Sequence, residues 1–371
     1  MTGKGPSPFM SSDQSRRRRA EARRRRTRRR VLAVAALALA IIAGVGVMAL
    51  ARTHVAKGSS PSAKRTTDTR AHAHGAALAQ APVKRSQEGL ALGTPPLRLS
   101  GVGDPAEDAV QVSFPEPPRA GLLFNLSTGQ VLWQRNPYVR LRMASLTKMM
   151  TALLTVQAEP SDTPVLITRE AVDMPGSKVG VLPLGRHVRL ETLMYGLLLP
   201  SGNDAAVALA QDVAGSINGF VGRMNQEAAK LGMGCTRYSS PSGYYDGGNY
   251  TCAADLAELA HVDLEQPRIA SIVKTYSAAL PFPIEGGRLF LYNNNPLLIY
   301  DYPGVTGMKT GYTEEAGRCL VATAERDGVR LGVVLLHSPD PGTQASELLN
   351  SGFQDVYHQR PVPQPPIPAG A

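Results

Sequence analysis

The sequence predicts an α/β (α+β) domain in which one antiparallel sheet is flanked by helices, preceded by one transmembrane helix. Short β-prone runs open the domain near residue 120, apolar segments of helical length follow, and further β-prone runs close it after residue 305. Strands at both ends of a domain, with helices between them, favour a single sheet covered by helices.

The first element is a predicted hairpin. Residues 120–126 and 130–134 are β-prone, and Ser127-Thr128-Gly129 joins them. A short connection containing glycine between two such runs is typical of two antiparallel strands.

Helices follow the hairpin. Apolar residues recur at helical spacing over 145–157, and Glu159-Pro160 ends that helix because proline cannot donate the next backbone hydrogen bond. Over residues 163–190 the sequence predicts short strands connected by turns that contain proline and glycine. Further helices are predicted over 190–199, 203–212 and 217–231. The closing strands are predicted at 307–310, 318–324 and 330–337, and the last two are joined by a turn at Arg326-Asp327-Gly328.

An uncharged run of 21 residues, 31–51, precedes the domain. At 1.5 Å per residue it is long enough to cross a hydrocarbon core about 30 Å thick, so it predicts a transmembrane anchor. Ala49-Leu50-Ala51 leaves a cleavable secretion signal as an alternative, although signal cores are usually about 7–15 residues long. A buried core helix is the remaining alternative.

The net charge of +10 comes from one end of the chain. Residues 1–30 hold 12 basic and two acidic residues, whereas residues 99–371 hold 20 basic and 26 acidic residues. Positive residues beside a span stay on the cytoplasmic side, so the chain is expected to enter N-in and leave C-out. The acidic excess of residues 99–371 excludes, for that part of the chain, a nucleic-acid partner inferred from total charge.

Composition divides the rest of the chain. Residues 52–112 are rich in Ala, Ser, Thr, Pro and basic residues and contain no aromatics, which predicts a disordered stalk. The globular domain is expected over 113–358, followed by a Pro-rich tail over 359–371.

Two S-x-x-K strings occur, at Ser145–Lys148 and at Ser271–Lys274. Ser145 opens an apolar helix, and Lys148 lies three residues later on the same face. A lysine in apolar surroundings tends to be neutral and can accept the serine proton. Taken alone, Ser145 is more readily a helix N-cap than a nucleophile.

Two further strings support the catalytic interpretation: Ser201-Gly202-Asn203 in a loop between two helices, and Lys309-Thr310-Gly311 on a predicted strand. The order S-x-x-K, S-x-N, K-T-G is typical of penicillin-binding proteins and class A β-lactamases. A nucleophile needs a base, serine and asparagine can relay protons and hold an amide, and a cationic lysine can bind a carboxylate.

Residues 119 to about 355 resemble the serine D-alanyl-D-alanine carboxypeptidases among the low-molecular-mass penicillin-binding proteins. The resemblance rests on ASLTKMMTALL (144–154), LLPSGNDAAVALA (198–210), FVGRMNQEAAKLGM (220–233), GVTGMKTGYTEEAG (304–317) and CLVATAERDG (319–328). It implies the penicillin-binding protein/β-lactamase-like transpeptidase fold and a membrane-anchored extracytoplasmic enzyme of the bacterial cell membrane. Its partners would be peptidoglycan stem peptides ending in D-Ala-D-Ala, with β-lactams as inhibitors.

The resemblance also implies roles for residues. Ser145 would be the acyl-forming nucleophile and Lys148 its general base, and Ser201 and Asn203 would relay protons and hold the substrate. Substrate would be bound by four consecutive residues, Lys309, Thr310, Gly311 and Tyr312. Lys309 and Thr310 would receive the terminal carboxylate. The backbone N–H groups of Ser145 and Tyr312 would form the oxyanion hole. No metal or other cofactor is required.

One departure from the family concerns the carboxylate. Family members often carry an arginine a few residues before the Leu-Leu that is here Leu348-Leu349, and residues 339–346 contain none. The resemblance therefore leaves open which cation helps to hold the substrate carboxylate.

The three cysteines fall in the outward domain, where disulfides can persist. Cys235 and Cys252 lie 17 residues apart around a turn-rich segment, so we expect them to pair, with two unpaired thiols as the alternative. Cys319 begins an apolar strand and is expected to be a small buried hydrophobe.

Two other functions stay open. A class A β-lactamase needs a glutamate-held water for deacylation, and no E-x-x-L-N string lies between Asn203 and Lys309. A non-catalytic muropeptide or β-lactam sensor could keep all three motifs. A zinc peptidase is disfavoured, because none of the histidines belongs to an H-E-x-x-H string.

Overall fold

The structure is a computed structural model that describes residues 96–103, 105–244, 247–283, 286–363 and 367. The predicted tail over 1–30, the predicted span over 31–51 and the stalk up to residue 95 lie outside the described residues. Within the described part, no helix combines the length and the apolar character that crossing a membrane requires.

Nine strands form three antiparallel sheets in the described residues. They are β1 (Ala120–Asn125), β2 (Val131–Arg135), β3 (Pro164–Leu166), β4 (His187–Arg189), β5 (Ser277–Pro281), β6 (Arg288–Tyr292), β7 (Val305–Thr313), β8 (Gly317–Arg326) and β9 (Val329–Ser338). The main sheet has the order β2-β1-β9-β8-β7, and the strand pairs β3-β4 and β5-β6 stand apart from it. The first and last parts of the domain thus share one sheet, as the sequence predicts.

Nine α-helices surround the sheet in the described residues. They are α1 (Lys148–Ala158), α2 (Arg169–Asp173), α3 (Leu190–Leu198), α4 (Asn203–Ala214), α5 (Ile217–Lys230), α6 (Ala253–Leu264), α7 (Pro267–Val273), α8 (Pro296–Ile299) and α9 (Pro341–Ser351).

The sheet is buried on both faces because its strands alternate between two apolar clusters. Phe124 and Val334 belong to the larger cluster, which includes residues of α1, α3 and α4, whereas Leu123 and Val333 belong to a second cluster that includes Leu348 of α9. Successive side chains of a strand point to opposite faces, so strands apolar at every position are covered on both sides.

The structure confirms the opening hairpin, the three closing strands and the helices predicted from residue 190 to 231 to within about two to three residues. Residues 163–190 differ: they contain two strands of three residues each and the helix α2, and are otherwise irregular. The sequence does not predict helices α6, α7, α8 and α9 or the β5-β6 hairpin. Ten of the 12 residues of α6 are buried, including Asp255, Glu258 and Asp263, so the polar residues of this helix do not mark a solvent-exposed face.

The stalk predicted over 52–112 is too long at its C-terminal end. Leu97 and Val110 are buried, and the backbone of Ser100 pairs with that of Gln130 and Val131 beside β2. Scattered apolar residues in this segment pack on the domain although their neighbours are polar. The described part of residues 96–112 therefore belongs to the folded domain.

Candidate active site

Ser145 lies in a single 3-10 turn, Ala144–Thr147, that precedes α1. Ala144 has a positive φ of 48°, and Thr147 Oγ1 donates a 2.8 Å hydrogen bond to the Ala144 carbonyl. The α-helix itself begins at Lys148 rather than at Ser145 as the sequence predicts. Ser145 therefore does not cap the helix, and its half-buried hydroxyl is turned towards Lys148.

Three oxygen atoms fix the position of the Lys148 side-chain nitrogen. Nζ lies 2.8 Å from Ser145 Oγ, 2.8 Å from Asn203 Oδ1 and 2.8 Å from the Ser242 carbonyl oxygen. A neutral amine has two N–H donors and one lone pair. When the two N–H groups serve Asn203 and Ser242, the lone pair is left for the Ser145 hydroxyl proton.

The surroundings of Lys148 favour this neutral form. The side chain is completely buried. Burial is the largest cause that holds the pKa of Lys148 well below its ordinary value; the positive charge of Lys309 acts in the same direction, and the carboxylate of Asp204 opposes it. A buried amine with a depressed pKa is suited to act as a general base near neutral pH.

Asn203, the first residue of α4, is held in one orientation. Its Nδ2 donates to the Pro175 carbonyl at 2.7 Å, and its backbone N–H donates to the Ser177 carbonyl at 2.7 Å. The amide oxygen consequently faces Lys148. Gly176, with φ of +83°, is needed beside it, because a Cβ there would lie 2.6 Å from Asn203 Nδ2.

Ser201 lies in the sharp loop before α4, with a positive φ of 67°. Its side chain is buried, and its Oγ has no hydrogen-bond partner among the described residues. A buried hydroxyl without a partner is costly unless something else satisfies it, which makes this oxygen available to a bound molecule.

Asp204 holds a different segment, the one that contains Val179 and Gly180, and the sequence does not single it out. Its carboxylate accepts hydrogen bonds from the backbone N–H groups of Val179 and Gly180 at 2.9 and 3.0 Å. These bonds fix the segment after Ser177 against the N-terminus of α4. An acidic residue in the first turn of a helix was the available signal, although it is equally typical of an ordinary cap.

Strand β7 approaches the nucleophile at Gly311. A Cβ at this position would lie 3.0 Å from the Met143 carbonyl oxygen and 3.1 Å from the Ser145 backbone nitrogen. Glycine thus allows the strand backbone to contact the turn that carries Ser145. The next residue, Tyr312, has an exposed side chain and lines the same cavity as Ser145.

Lys309 and Thr310 take different positions. Lys309 is buried, its Nζ donates to the Thr310 carbonyl at 2.8 Å, and burial lowers its pKa to about 7. Thr310 is half-buried and reaches the cavity described next.

A cavity of about 280 Å³ joins these elements. Its lining comprises Ser145, Ser177, Ser201, Asn294, Pro296, Thr310, Gly311, Tyr312, Arg318, Cys319 and Pro341. The predicted residues Lys148, Asn203 and Lys309 lie behind this wall. Sequence reasoning missed Ser177, Asn294 and Arg318, which lie on segments whose structure it did not predict or at a strand end that carries no motif.

The cysteines lie as follows. The structure joins Cys235 and Cys252 in a disulfide, with Cα atoms 5.6 Å apart. Cys319 is buried, as expected, but it also contributes to the wall of the cavity that holds Ser145. An apolar strand position alone does not indicate the latter.

Comparison with known proteins agrees with this geometry. The profile of the D-alanyl-D-alanine carboxypeptidase family, peptidase S11, matches residues 117–340. The chain is 34% identical over 253 residues to the D-alanyl-D-alanine carboxypeptidase DacF of Bacillus subtilis, a match that covers 66% of this chain and 64% of that protein. It is 33% identical to DacB2 of Mycobacterium tuberculosis, covering 67% of this chain and 86% of the relative.

A solved structure shows the same fold. The crystal structure of the Streptomyces K15 DD-transpeptidase aligns with 65% of this chain and 99% of its own, at 31% identity and a TM-score of 0.61. The mixed α/β architecture with an antiparallel sheet flanked by helices is therefore that of the penicillin-binding DD-peptidases. The chain belongs to the D-alanyl-D-alanine carboxypeptidase family, peptidase S11.

Proposed function

We propose that this protein is a serine DD-carboxypeptidase that removes the terminal D-alanine from peptidoglycan stem pentapeptides and is acylated by penicillins. The observation that carries the proposal is the buried Lys148 Nζ, 2.8 Å from Ser145 Oγ, with two carbonyl oxygens in place to hold its N–H groups.

Acylation begins with proton transfer from Ser145 to Lys148. The Ser145 oxygen attacks the carbonyl carbon of the penultimate D-alanine, and the negative charge that develops on the carbonyl oxygen is stabilised by the backbone N–H groups of Ser145 and Tyr312. The contact between Gly311 and the backbone of Ser145 supports this assignment, because it brings the two chain segments together.

Collapse of the tetrahedral intermediate breaks the peptide bond. The leaving nitrogen takes a proton from Lys148, and the Ser201 hydroxyl, which has no hydrogen-bond partner in the described part of the chain, is available to pass it on. D-Alanine departs, and the remaining peptide stays joined to Ser145 as an ester. Water hydrolyses this ester with Lys148 again as base.

A β-lactam follows the same first step. Its strained amide carbonyl takes the place of the peptide carbonyl, so Ser145 opens the ring and is left acylated. The names of the two D-alanyl-D-alanine carboxypeptidase relatives and of the K15 DD-transpeptidase support an activity of this class.

Anchoring is a second part of the proposal. Residues 31–51 would span the bacterial cell membrane once, with residues 1–30 in the cytoplasm and the domain outside, at the end of a stalk. The uncharged run of 21 residues and the 12 basic residues before it support this arrangement. Membrane fractionation and external protease treatment of cells test it; release of the intact chain by salt alone would contradict it.

The activity is tested with two reagents on the same preparation. A fluorescent penicillin is expected to label wild-type protein stably and Ser145→Ala not at all, whereas rapid loss of label would indicate a β-lactamase. Release of D-alanine from a stem pentapeptide then distinguishes the enzyme from a sensor. Stable acylation without D-alanine release would overturn the proposed carboxypeptidase activity.

A further inference from the structure

We propose that Arg318 binds the terminal carboxylate of the substrate, in place of the arginine that residues 339–346 lack. The inference rests on the proposed function, because it names the cation with which the same site selects a free C-terminal carboxylate. Nothing in the three sequence motifs indicates this residue.

Strand pairing places Arg318 beside the substrate-binding strand. Arg318 is opposite Tyr312 in the antiparallel β7-β8 pair, and Thr310 is opposite Leu320, two residues along. Residues two apart on a strand lie on the same face. Arg318 therefore projects on the Thr310 face of the sheet, and both residues line the cavity that contains Ser145.

One hydrogen bond to the backbone holds the Arg318 guanidinium group in place. Arg318 Nη1 donates a 2.7 Å hydrogen bond to the carbonyl of Pro339, at the start of the segment that lacks an arginine. None of the three ion pairs found in the described part of the chain involves Arg318. Its remaining N–H groups form a fork whose geometry matches a carboxylate.

Lys309 is a poorer partner for that carboxylate. It is buried, its Nζ is bound to the Thr310 carbonyl, and it does not line the cavity. Among the described residues, Arg318 is the single charged side chain in the cavity wall. Arg318 therefore supplies the cavity wall with a cation where Lys309 does not reach, and a planar guanidinium matches a carboxylate.

The test uses two substrates that differ at one group. Full-length protein, its Arg318→Gln variant and its Arg318→Lys variant are given diacetyl-L-lysyl-D-alanyl-D-alanine and the corresponding C-terminal amide. Arg318→Gln is expected to lower kcat/KM for the acid by roughly 10- to 100-fold, the loss expected for a hydrogen bond to a charged group. The amide, which presents no charge, should change by less than about twofold, and Arg318→Lys should recover part of the loss on the acid.

Arg119→Gln is the matched control. Arg119 is exposed and lies beside Arg318 in the neighbouring surface groove, but it does not line the Ser145 cavity. This substitution removes the same charge and should leave the preference for acid over amide unchanged. Equal losses in the two variants, or equal losses on acid and amide, would overturn the assignment.

Acylation by benzylpenicillin and by its methyl ester gives a readout that does not require peptide hydrolysis. If wild-type protein releases no D-alanine but is acylated, the carboxypeptidase proposal fails, and the preference for the penicillin carboxylate still tests Arg318. Arg318→Gln should slow acylation by the acid and leave the ester rate unchanged, which also shows that the variant is folded. A preference for the acid equal to that of wild type would refute the role of Arg318.

Discussion

Lys148 Nζ lies 2.8 Å from Ser145 Oγ, and Lys148 is completely buried. This pair predicts that Lys148→Ala lowers the rate of acylation by penicillin by about 10²- to 10⁴-fold, the usual contribution of a general base. The rate is measured with a fluorescent penicillin under single-turnover conditions.

The chain provides its own control for this substitution. Ser271 and Lys274 form a second S-x-x-K string, on and just after α7, but both side chains are exposed. Lys274→Ala should therefore be acylated at the wild-type rate. Acylation of Lys148→Ala at that same rate would show that another group takes the serine proton.

The pH profile of acylation should depend on Lys309. The positive charge of Lys309 helps to lower the pKa of Lys148, so Lys309→Gln raises the pKa of Lys148. Only the unprotonated amine accepts the serine proton, and this form is present above the pKa. The acid limb of the profile is therefore expected to move to higher pH in Lys309→Gln.

The methyl ester of benzylpenicillin is the appropriate reagent for that profile, because it removes any contribution of Lys309 to carboxylate binding. Asp204 provides a comparison of opposite sign, since its carboxylate raises the pKa of Lys148. An acid limb that stays in place, or moves to lower pH, in Lys309→Gln would contradict the electrostatic link between the two lysines.

The sequence predicts that the three motifs form one site, but it does not predict which of their residues line the cavity and which are buried behind it. A sequence string gives the order of Ser145, Lys148 and Asn203, and their contacts follow from the family resemblance. That Lys309 is covered and Thr310 is at the cavity depends on the strand face, which the string K-T-G does not specify. The register of the β7-β8 pair places Arg318 beside the site. A sequence motif does not contain this information, because register depends on how two whole strands pair.

The parts of the fold that were missed have a related cause. Helix α6 is buried on nearly all sides, and its Asp255 and Glu258 are buried although their spacing is typical of a polar face. Composition predicts a stalk over 52–112, although Leu97 and Val110 are buried. The average composition of a segment is polar even when a few of its apolar residues pack against a domain formed by other segments.

Gly311 should be intolerant of a side chain. A Cβ at this position would lie 3.0 to 3.2 Å from backbone atoms of Met143, Ser145 and Leu146, which cannot move like a flexible side chain. Gly311→Ala is expected to reduce the acylation rate at least about tenfold, because displacing reacting groups by a fraction of an ångström is costly.

Gly222→Ala is the control for that substitution. Gly222 is exposed on α5, and a Cβ at this position would have no neighbouring atom within 4 Å. Alanine should therefore stabilise the helix by about 0.5–1 kcal/mol and leave acylation unchanged. Wild-type acylation of Gly311→Ala would mean that β7 does not need its close approach to Ser145.

The disulfide between Cys235 and Cys252 closes a loop with a sequence separation of 17 residues. A loop of this length predicts that the double variant Cys235→Ser/Cys252→Ser loses about 3 kcal/mol in free energy of unfolding, measured in urea. Reductant should reduce the stability of wild-type protein towards that of the variant and leave the variant unaffected. Equal urea midpoints of oxidised wild type and variant would argue against a stabilising role.

The buried carboxyl of Glu258 is expected to make the free energy of unfolding depend on pH. Its Oε2 accepts a 2.7 Å hydrogen bond from the Leu97 N–H, whereas its buried Oε1 has no partner among the described residues. Burial raises the pKa of Glu258 from 4.5 to about 7; the Leu97 N–H opposes the rise, and the Asp255 carboxylate adds to it. Between these two values the folded protein binds a proton that the unfolded chain has released, so this group lowers stability as pH rises through that window.

Glu258→Gln removes this dependence, because glutamine does not ionise and its amide oxygen can still accept from Leu97. The variant should match wild type near pH 4 and exceed it by at most about 3 kcal/mol above pH 7, measured from urea midpoints across that range. Glu325→Gln, at an exposed position of β8, is the control and should follow the wild-type curve. The pKa values of Asp212 and Asp263 are also raised, but these two groups titrate in all three proteins and cancel in the comparison. Asp255 interacts with Glu258, so the measured difference is that of the coupled pair. A Glu258→Gln curve parallel to wild type would place the proton elsewhere.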